Sequence, residues 1–266
     1  MLPGPPRELR PMFGESVMPL LNRVLPPESA YVCRTLRTAG LPESLLEERI
    51  DGPLRSLVTA GLDLGYCARI GQVDVRLAAR GQAARQLVAD AEAIVREQLG
   101  PHVYGEDEDE LETVIVRLLT ERKQTLAMAE SCTGGCLANR VTNVPGASLV
   151  FLCGLVTYGN EAKHKLLGVR PETLAQHGAV SEAVAREMAE GARRQSGADY
   201  ALSTTGIAGP GGGTDEKPVG TVFIGLAGPD GTVVEKQFNA FERETFKQLT
   251  AHQALNKLRL LLIRPG

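Results

Sequence analysis

The chain has 266 residues, with 29 Lys and Arg against 32 Asp and Glu, a formal net charge of −3. That length suits about two domains, and the slightly acidic balance argues against a nucleic-acid electrostatic footprint and for small-molecule chemistry. Five cysteines stand at positions 33, 67, 132, 136 and 153, with no signal peptide or long apolar span, which argues against a disulfide scaffold or membrane helix and for reduced thiols in a cytoplasm.

In chain order, residues 1–13 open with a Pro/Gly loop, and a helix is predicted over 15–24, closed by Pro26-Pro27. Residues 1–24 carry no core of their own. A strand follows over 30–38 and a helix over 41–50, whose leucines and isoleucine recur at helical spacing. Residues 63–69 and 73–79 alternate apolar with polar around Ile70-Gly71-Gln72, the pattern of an antiparallel hairpin. The segment 82–99 is amphipathic, with Leu87, Ala91, Ile94, Val95 and Leu99 on one stripe. Together these predict a small α+β module, βαββα, over 25–105, to which residues 102–104 can add a strand. The acidic run 105–110 marks a boundary and reads as the solvated start of a helix over 108–122, where carboxylates complement the helix dipole.

Beyond it, over 106–266, the pattern alternates: strand 125–130, helix 135–143, strand 148–156, helices 160–167 and 181–196, strand 199–205, a hairpin at 219–226 and 231–238, and a helix 243–262. The expected fold is α/β, a three-layer α/β/α domain with a mixed sheet, the late hairpin supplying its antiparallel part. Sites in such sheets lie at the carboxyl ends of strands.

Three unusual stretches fall at such places. In Thr125-Leu-Ala-Met-Ala-Glu-Ser-Cys-Thr-Gly-Gly135 a buried strand runs into a polar turn and then a helix. The turn presents the Ser131 and Thr133 hydroxyls and backbone N–H groups that either cap the helix or hold an anion or oxyanion. Cys132 and Cys136 lie four apart, but no further ligand completes a metal site, so they read as structural, and no metal or cofactor is expected. In Leu155-Val-Thr-Tyr-Gly-Asn-Glu-Ala-Lys163, Asn160 reads as a helix N-cap, which puts Lys163 in a first helical turn. The dipole disfavours a lysine there, so it either reaches solvent or has a role that benefits from a weakened charge. Finally, Thr204-Thr-Gly-Ile-Ala-Gly-Pro-Gly-Gly-Gly-Thr214 follows a strand; its glycines let backbone N–H groups approach a phosphate or ribose, without the spacing of a Walker or dinucleotide loop.

The motifs Ala129-Glu-Ser-Cys-Thr-Gly-Gly135, Tyr158-Gly-Asn-Glu-Ala-Lys163, His177-Gly-Ala-Val-Ser-Glu182, Thr205-Gly-Ile-Ala-Gly-Pro-Gly-Gly-Gly213 and Glu216-Lys-Pro-Val-Gly-Thr-Val222 together resemble the C-terminal domain of the CinA (competence/damage-inducible) family over about 110–264. Residues 65–77 resemble its KH-like middle module, and residues 1–13 the end of its preceding molybdopterin-binding-like domain, most of which is absent from this sequence. The resemblance implies hydrolysis of the carboxamide of nicotinamide mononucleotide to nicotinic acid mononucleotide and ammonia. Ser131 is then the nucleophile, Lys163 its base, and Tyr158 a group that orients the lysine or relays a proton. Backbone N–H groups over Thr133, Gly134 and Gly135 are candidate oxyanion donors. The loop carrying Thr205, Gly206, Ala208 and Gly209, with Arg243, is expected to hold the ribose and phosphate. His164 is expected to face away from the site and His177 to pack against the sheet. Where the family has a second arginine near the last helix, this chain has Lys247, which cannot make a bidentate phosphate contact. A homo-oligomer without membrane attachment is expected. The competing reading is a non-catalytic nucleotide- or nucleic-acid-binding module, though residues 25–105 lack the basic Gly-x-x-Gly loop such a module uses.

Overall fold

The computed structural model describes residues 4–24 and 31–264. Pro26-Pro27 and Ala30, read from sequence as a helix stop and a strand start, lie outside them. The first helical segment begins at Pro6, earlier than its pattern suggested. It runs as α1 (Pro6–Met12), a π-helical turn (Phe13–Val17) and α2 (Met18–Val24). Proline at the first helical position has its φ preset and lacks an N–H that would go unused there, so residues 6–13, expected as loop, are helical instead.

Next comes an antiparallel sheet with strand order β2-β3-β1-β4, built from β1 (Tyr31–Ala39), β2 (Asp63–Arg69), β3 (Gln72–Arg80) and β4 (Val103–Glu106). Helices α3 (Glu43–Thr59) and α4 (Ala84–Leu99) cover it. The core between them holds Leu46, Ile50 and Leu54 of α3 and Val88, Ala91, Val95 and Leu99 of α4 against Leu36, Val75 and Leu77 of the sheet. The buried stripe of α4 is centred on Val88; Leu87 and Ile94 sit at its edge. The β2–β3 hairpin closes in two residues, Ile70-Gly71, as its alternation predicted.

The acidic run is not the solvated helix start that the sequence suggested. Gly105 and Glu106 belong to β4, and Asp107 is drawn onto β1, where its carboxylate accepts from Thr35 N (3.0 Å) and pairs with Arg34 while its carbonyl accepts from Arg37 Nε (2.7 Å). Helix α5 therefore starts only at Leu111 (Leu111–Arg122).

The second sheet has strand order β6-β5-β7-β8-β9. Strands β5 (Leu126–Glu130), β6 (Phe151–Val156) and β7 (Tyr200–Gly206) are parallel; β8 (Thr221–Gly228) and β9 (Gly231–Phe238) continue antiparallel. On one face α5, α6 (Cys136–Thr142) and α10 (Arg243–Leu262) enclose Leu126, Met128, Leu202 and Ile224. On the other, α9 (Glu182–Ser196), backed by α7 (Asn160–Leu167) and α8 (Pro171–His177), covers Ala127, Ala129 and Ala201. This is the expected α/β/α sandwich with a mixed sheet, preceded by the α+β unit. Helix α8 was not foreseen.

Candidate active site

Strand β5 delivers the site. All five of its residues are buried, and the strand ends at Glu130, so Ser131 emerges at the carboxyl edge of the sheet between β6 and β7. Ser131 N–H donates to Thr204 O of β7 (2.9 Å), and Ser131 keeps 9% of its surface exposed. Across the turn, Thr133 is fully buried with Oγ1 2.7 Å from Thr204 Oγ1.

Lys163 comes from the next crossover. The chain leaves β6, passes Thr157-Tyr158-Gly159, and enters α7, where Gly159 is the N-cap and Asn160 the first helical residue, so Asn160 is not the cap its sequence suggested. Lys163 lies in that first turn, with no exposed surface. Its Nζ donates to Thr157 O at 2.7 Å and Tyr158 O at 3.1 Å, and stands 2.9 Å from Ser131 Oγ. Burial lowers its pKa to about 8, because the charged form has lost its water and no carboxylate pairs with it among the described residues. A neutral amine keeps two N–H groups for the two carbonyls, which can only accept, and its lone pair is left for the one partner that can donate, the Ser131 hydroxyl.

Cys132 turns the other way. It is 4% exposed, packs into the core beneath α5 and α10, and burial pushes its thiol up to about 12. A thiol held protonated is a poor nucleophile.

The remaining expected residues fall around this pair, several in roles other than those foreseen. Tyr158, 61% exposed, touches Lys163 through its backbone carbonyl, and its phenol accepts from Arg243 Nη2 (2.9 Å). Arg243, the first residue of α10, also donates to Gly209 O (2.9 Å), tying the Gly-rich loop to the Tyr158 side. Thr205 is buried with its hydroxyl donating to Ala179 O (2.7 Å), Gly206 is the last residue of β7, and Ala208 is packed in the core. The Thr205 hydroxyl and the Ala208 side chain are thus engaged within the fold, leaving the backbone of this loop as its exposed polar surface. Lys247, one turn after Arg243, places Nζ 3.9 Å from where a Cβ on Gly134 would stand, so one cation of α10 lies beside the Ser131 turn and the other beside Tyr158 and Gly209. His164 turns its Nδ1 to Val169 O (2.9 Å), away from Ser131; His177 is exposed and does not pack against the sheet.

The expected oxyanion donors are partly committed already. Gly135 N–H donates to the Glu130 carboxylate (2.9 Å) and Gly134 N–H to Ser131 O (3.2 Å). Glu130 was not singled out by sequence reasoning. Its signal was a carboxylate closing an otherwise apolar strand just before a Gly-Gly helix start. Among the described residues no group of three or more His, Cys, Asp or Glu side chains is placed to hold a metal ion, and no helix is long and apolar enough to cross a membrane.

Comparison with known proteins matches residues 108–262 to the CinA C-terminal domain and residues 33–105 to the damage-inducible protein CinA KH domain. A putative competence-damage inducible protein of Moorella thermoacetica is 46% identical over 258 residues, 96% of this chain and 62% of its own length. A CinA-like protein of Geobacter sulfurreducens is 46% identical over 268 residues, 98% of this chain and 64% of its own. This chain thus spans a little under two thirds of these relatives. Among solved structures, the competence/damage inducible protein CihA from Agrobacterium tumefaciens superposes with a TM-score of 0.56 at 40% identity, over 58% of this chain and 94% of that one. The competence damage-inducible protein A from Klebsiella pneumoniae gives 0.57 at 38% identity, over 59% and 97%.

Proposed function

The chain belongs to the CinA family, with that family's KH and C-terminal domains matched in order, and from that premise we propose that it is an amidohydrolase acting on the carboxamide of nicotinamide mononucleotide. The observation that carries the reading is the sealed contact of Lys163 Nζ with Ser131 Oγ, 2.9 Å, in which the other two neighbours of Nζ are carbonyl oxygens.

Amide hydrolysis needs a nucleophile, a group that takes and returns its proton, and donors for the oxyanion. Ser131 Oγ attacks the carboxamide carbon as its proton passes to the neutral Lys163 amine. The tetrahedral intermediate collapses with cleavage of the C–N bond, and the Lys163 ammonium returns the proton to the departing ammonia. Water then attacks the Ser131 ester with Lys163 again as base, releasing the carboxylic acid and restoring the hydroxyl. Arg243 and Lys247 supply positive charge where a mononucleotide's phosphate would lie, and the loop through Gly209 is held against Arg243 beside them. With a lysine at 247 the phosphate gains a point charge in place of a planar fork.

The test is direct. The purified chain, given nicotinamide mononucleotide, is expected to release ammonia and nicotinic acid mononucleotide in equal amounts, and to leave free nicotinamide, which lacks the phosphate handle, largely unhydrolysed. Folded protein that releases no ammonia from the mononucleotide contradicts the proposal and favours the binding-module reading.

A further inference from the structure

We propose that Glu130 is a positioning residue: by occupying the N–H groups that open α6, it shapes the Ser131–Thr133 turn so that the Cys132 and Thr133 N–H groups are the pair left to meet an oxyanion. The inference rests on the reading of Ser131 as nucleophile.

Glu130 is completely buried. Its Oε2 accepts from Gly135 N (2.9 Å) and Leu137 N (3.1 Å), and its Oε1 from Ala138 N (2.8 Å). No Lys or Arg lies within ion-pair distance of it among the described residues, so backbone dipoles alone hold the carboxylate. A buried carboxylate is tolerated only when hydrogen-bonded in this way. Its location makes the arrangement more than a helix cap. The Glu130 carbonyl accepts from Thr157 N (2.8 Å), and the Thr157 carbonyl in turn holds Lys163 Nζ (2.7 Å). One residue therefore fixes the turn after the nucleophile with its side chain and the segment bearing the base's acceptor with its backbone.

The oxyanion assignment follows by elimination along the turn. Ser131 N–H is taken by Thr204 O, Gly134 N–H by Ser131 O, Cys136 N–H by Thr133 O, and those of Gly135, Leu137 and Ala138 by Glu130. Within 131–138, the Cys132 and Thr133 N–H groups find no backbone or carboxylate oxygen among the described residues. Both immediately follow the nucleophile, where a backbone donor can reach the oxygen of a carbonyl attacked by Ser131 Oγ.

The test uses a substrate-independent probe of nucleophile and oxyanion donors, the rate at which a fluorophosphonate labels Ser131 in the intact chain, followed by mass spectrometry across pH 6.5–9.5. In Glu130→Gln one acceptor oxygen becomes an N–H₂ group aimed at N–H donors, so the turn shifts. Labelling is expected to slow about ten- to hundredfold, as misplacement of about 1 Å does, with the pH midpoint of labelling unchanged. Glu130→Asp, which keeps the charge but withdraws it, is expected to label at an intermediate rate and supplies the same comparison if Glu130→Gln does not fold. Labelling of folded variants at the wild-type rate overturns the proposal, as does slowing with a displaced pH midpoint, which means that Glu130 acts through the charge of Lys163. A wild type that does not label at Ser131 counts against the nucleophile itself and so against both readings; labelled wild type with unaffected variants counts against Glu130 alone.

Discussion

At the scale of single residues, the charge of Lys163 decides whether it can take a proton from Ser131. With its pKa lowered to about 8 by burial, roughly a tenth of the side chain is neutral at pH 7 and most of it at pH 9. In the proposed mechanism the neutral amine is the base, so kcat/KM should rise about tenfold from pH 7 to pH 9 with a midpoint near 8; a profile flat over that range contradicts the assignment. Stability is linked to the same group with a definite sign. Between about 8 and the ordinary value of 10.5, the unfolded chain binds a proton that the folded chain does not. Folding therefore gains from each rise in pH across that window, by at most about 1.4 kcal/mol per unit, and below it the penalty of the buried charge is present in full. Urea midpoints of wild type and Lys163→Met should thus diverge in favour of the wild type from pH 8 to pH 10, and a gap independent of pH would mean that Lys163 titrates normally. Ser131 and Lys163 stood out in the sequence as side chains in motifs that the family resemblance paired, and the structure brings them to 2.9 Å. The contributions of Thr157 and Tyr158 to Lys163 were not legible there, since a backbone carbonyl is supplied equally by any residue.

At the scale of elements, the position of α7 determines where Lys163 stands, and α7 is set by a glycine in another helix. Gly191 lies within α9, where glycine is costly, yet a Cβ there would come within 2.0 Å of the Leu167 carbonyl oxygen at the end of α7. Gly191→Ala must push α7 outward; a loss of about 1–3 kcal/mol is expected from overpacking, together with a fall in kcat exceeding any change in KM. A variant that melts like wild type and turns over like wild type would show that α7 is free to move. Elements with a clear apolar pattern were read from sequence to within a residue or two, among them β5, α9 and the β8–β9 hairpin, although Ser181 proves to be the N-cap of α9 and not its first residue. Helix α8 was missed because its seven residues, bracketed by Gly168 and Gly178, give too few turns for an apolar period to show. The acidic run misled for a different reason. The Asp107 carboxylate finds Arg34 and the Thr35 amide on β1 and its carbonyl finds Arg37, long-range partners that local charge patterning does not contain.

At the scale of the molecule, the two sheets meet along α10. Arg259, 2% exposed, donates to Pro101 O (2.6 Å) and Asn256 Oδ1 (3.0 Å), and Ala39 and Tyr104 of the first unit join the core beneath α5 and α10. Gly71 of the β2–β3 turn lies against His252, leaving 2.8 Å from a hypothetical Cβ to the ring. We expect residues 106–266 alone to fold and retain the Ser131 site, since that site is built from β5, β6, α7 and β7. They should melt below the full chain, because Arg259 loses its carbonyl and His252 its cover; a fragment that folds but does not turn over, while the full chain does, would mean that the site spans both units. The claim on which all of this depends is that Ser131 and Lys163 act as one unit, and it is tested most directly by ammonia release from nicotinamide mononucleotide, measured against pH for wild type, Ser131→Ala, Lys163→Ala, the double variant and Cys132→Ser, each first shown to be folded by melting. The three variants of the pair are expected to share one low rate, their losses not adding, while Cys132→Ser keeps most of its turnover with a midpoint near 8. Near-native turnover by Ser131→Ala, abolition by Cys132→Ser, or an unchanged pH profile in an active Lys163→Ala would contradict it.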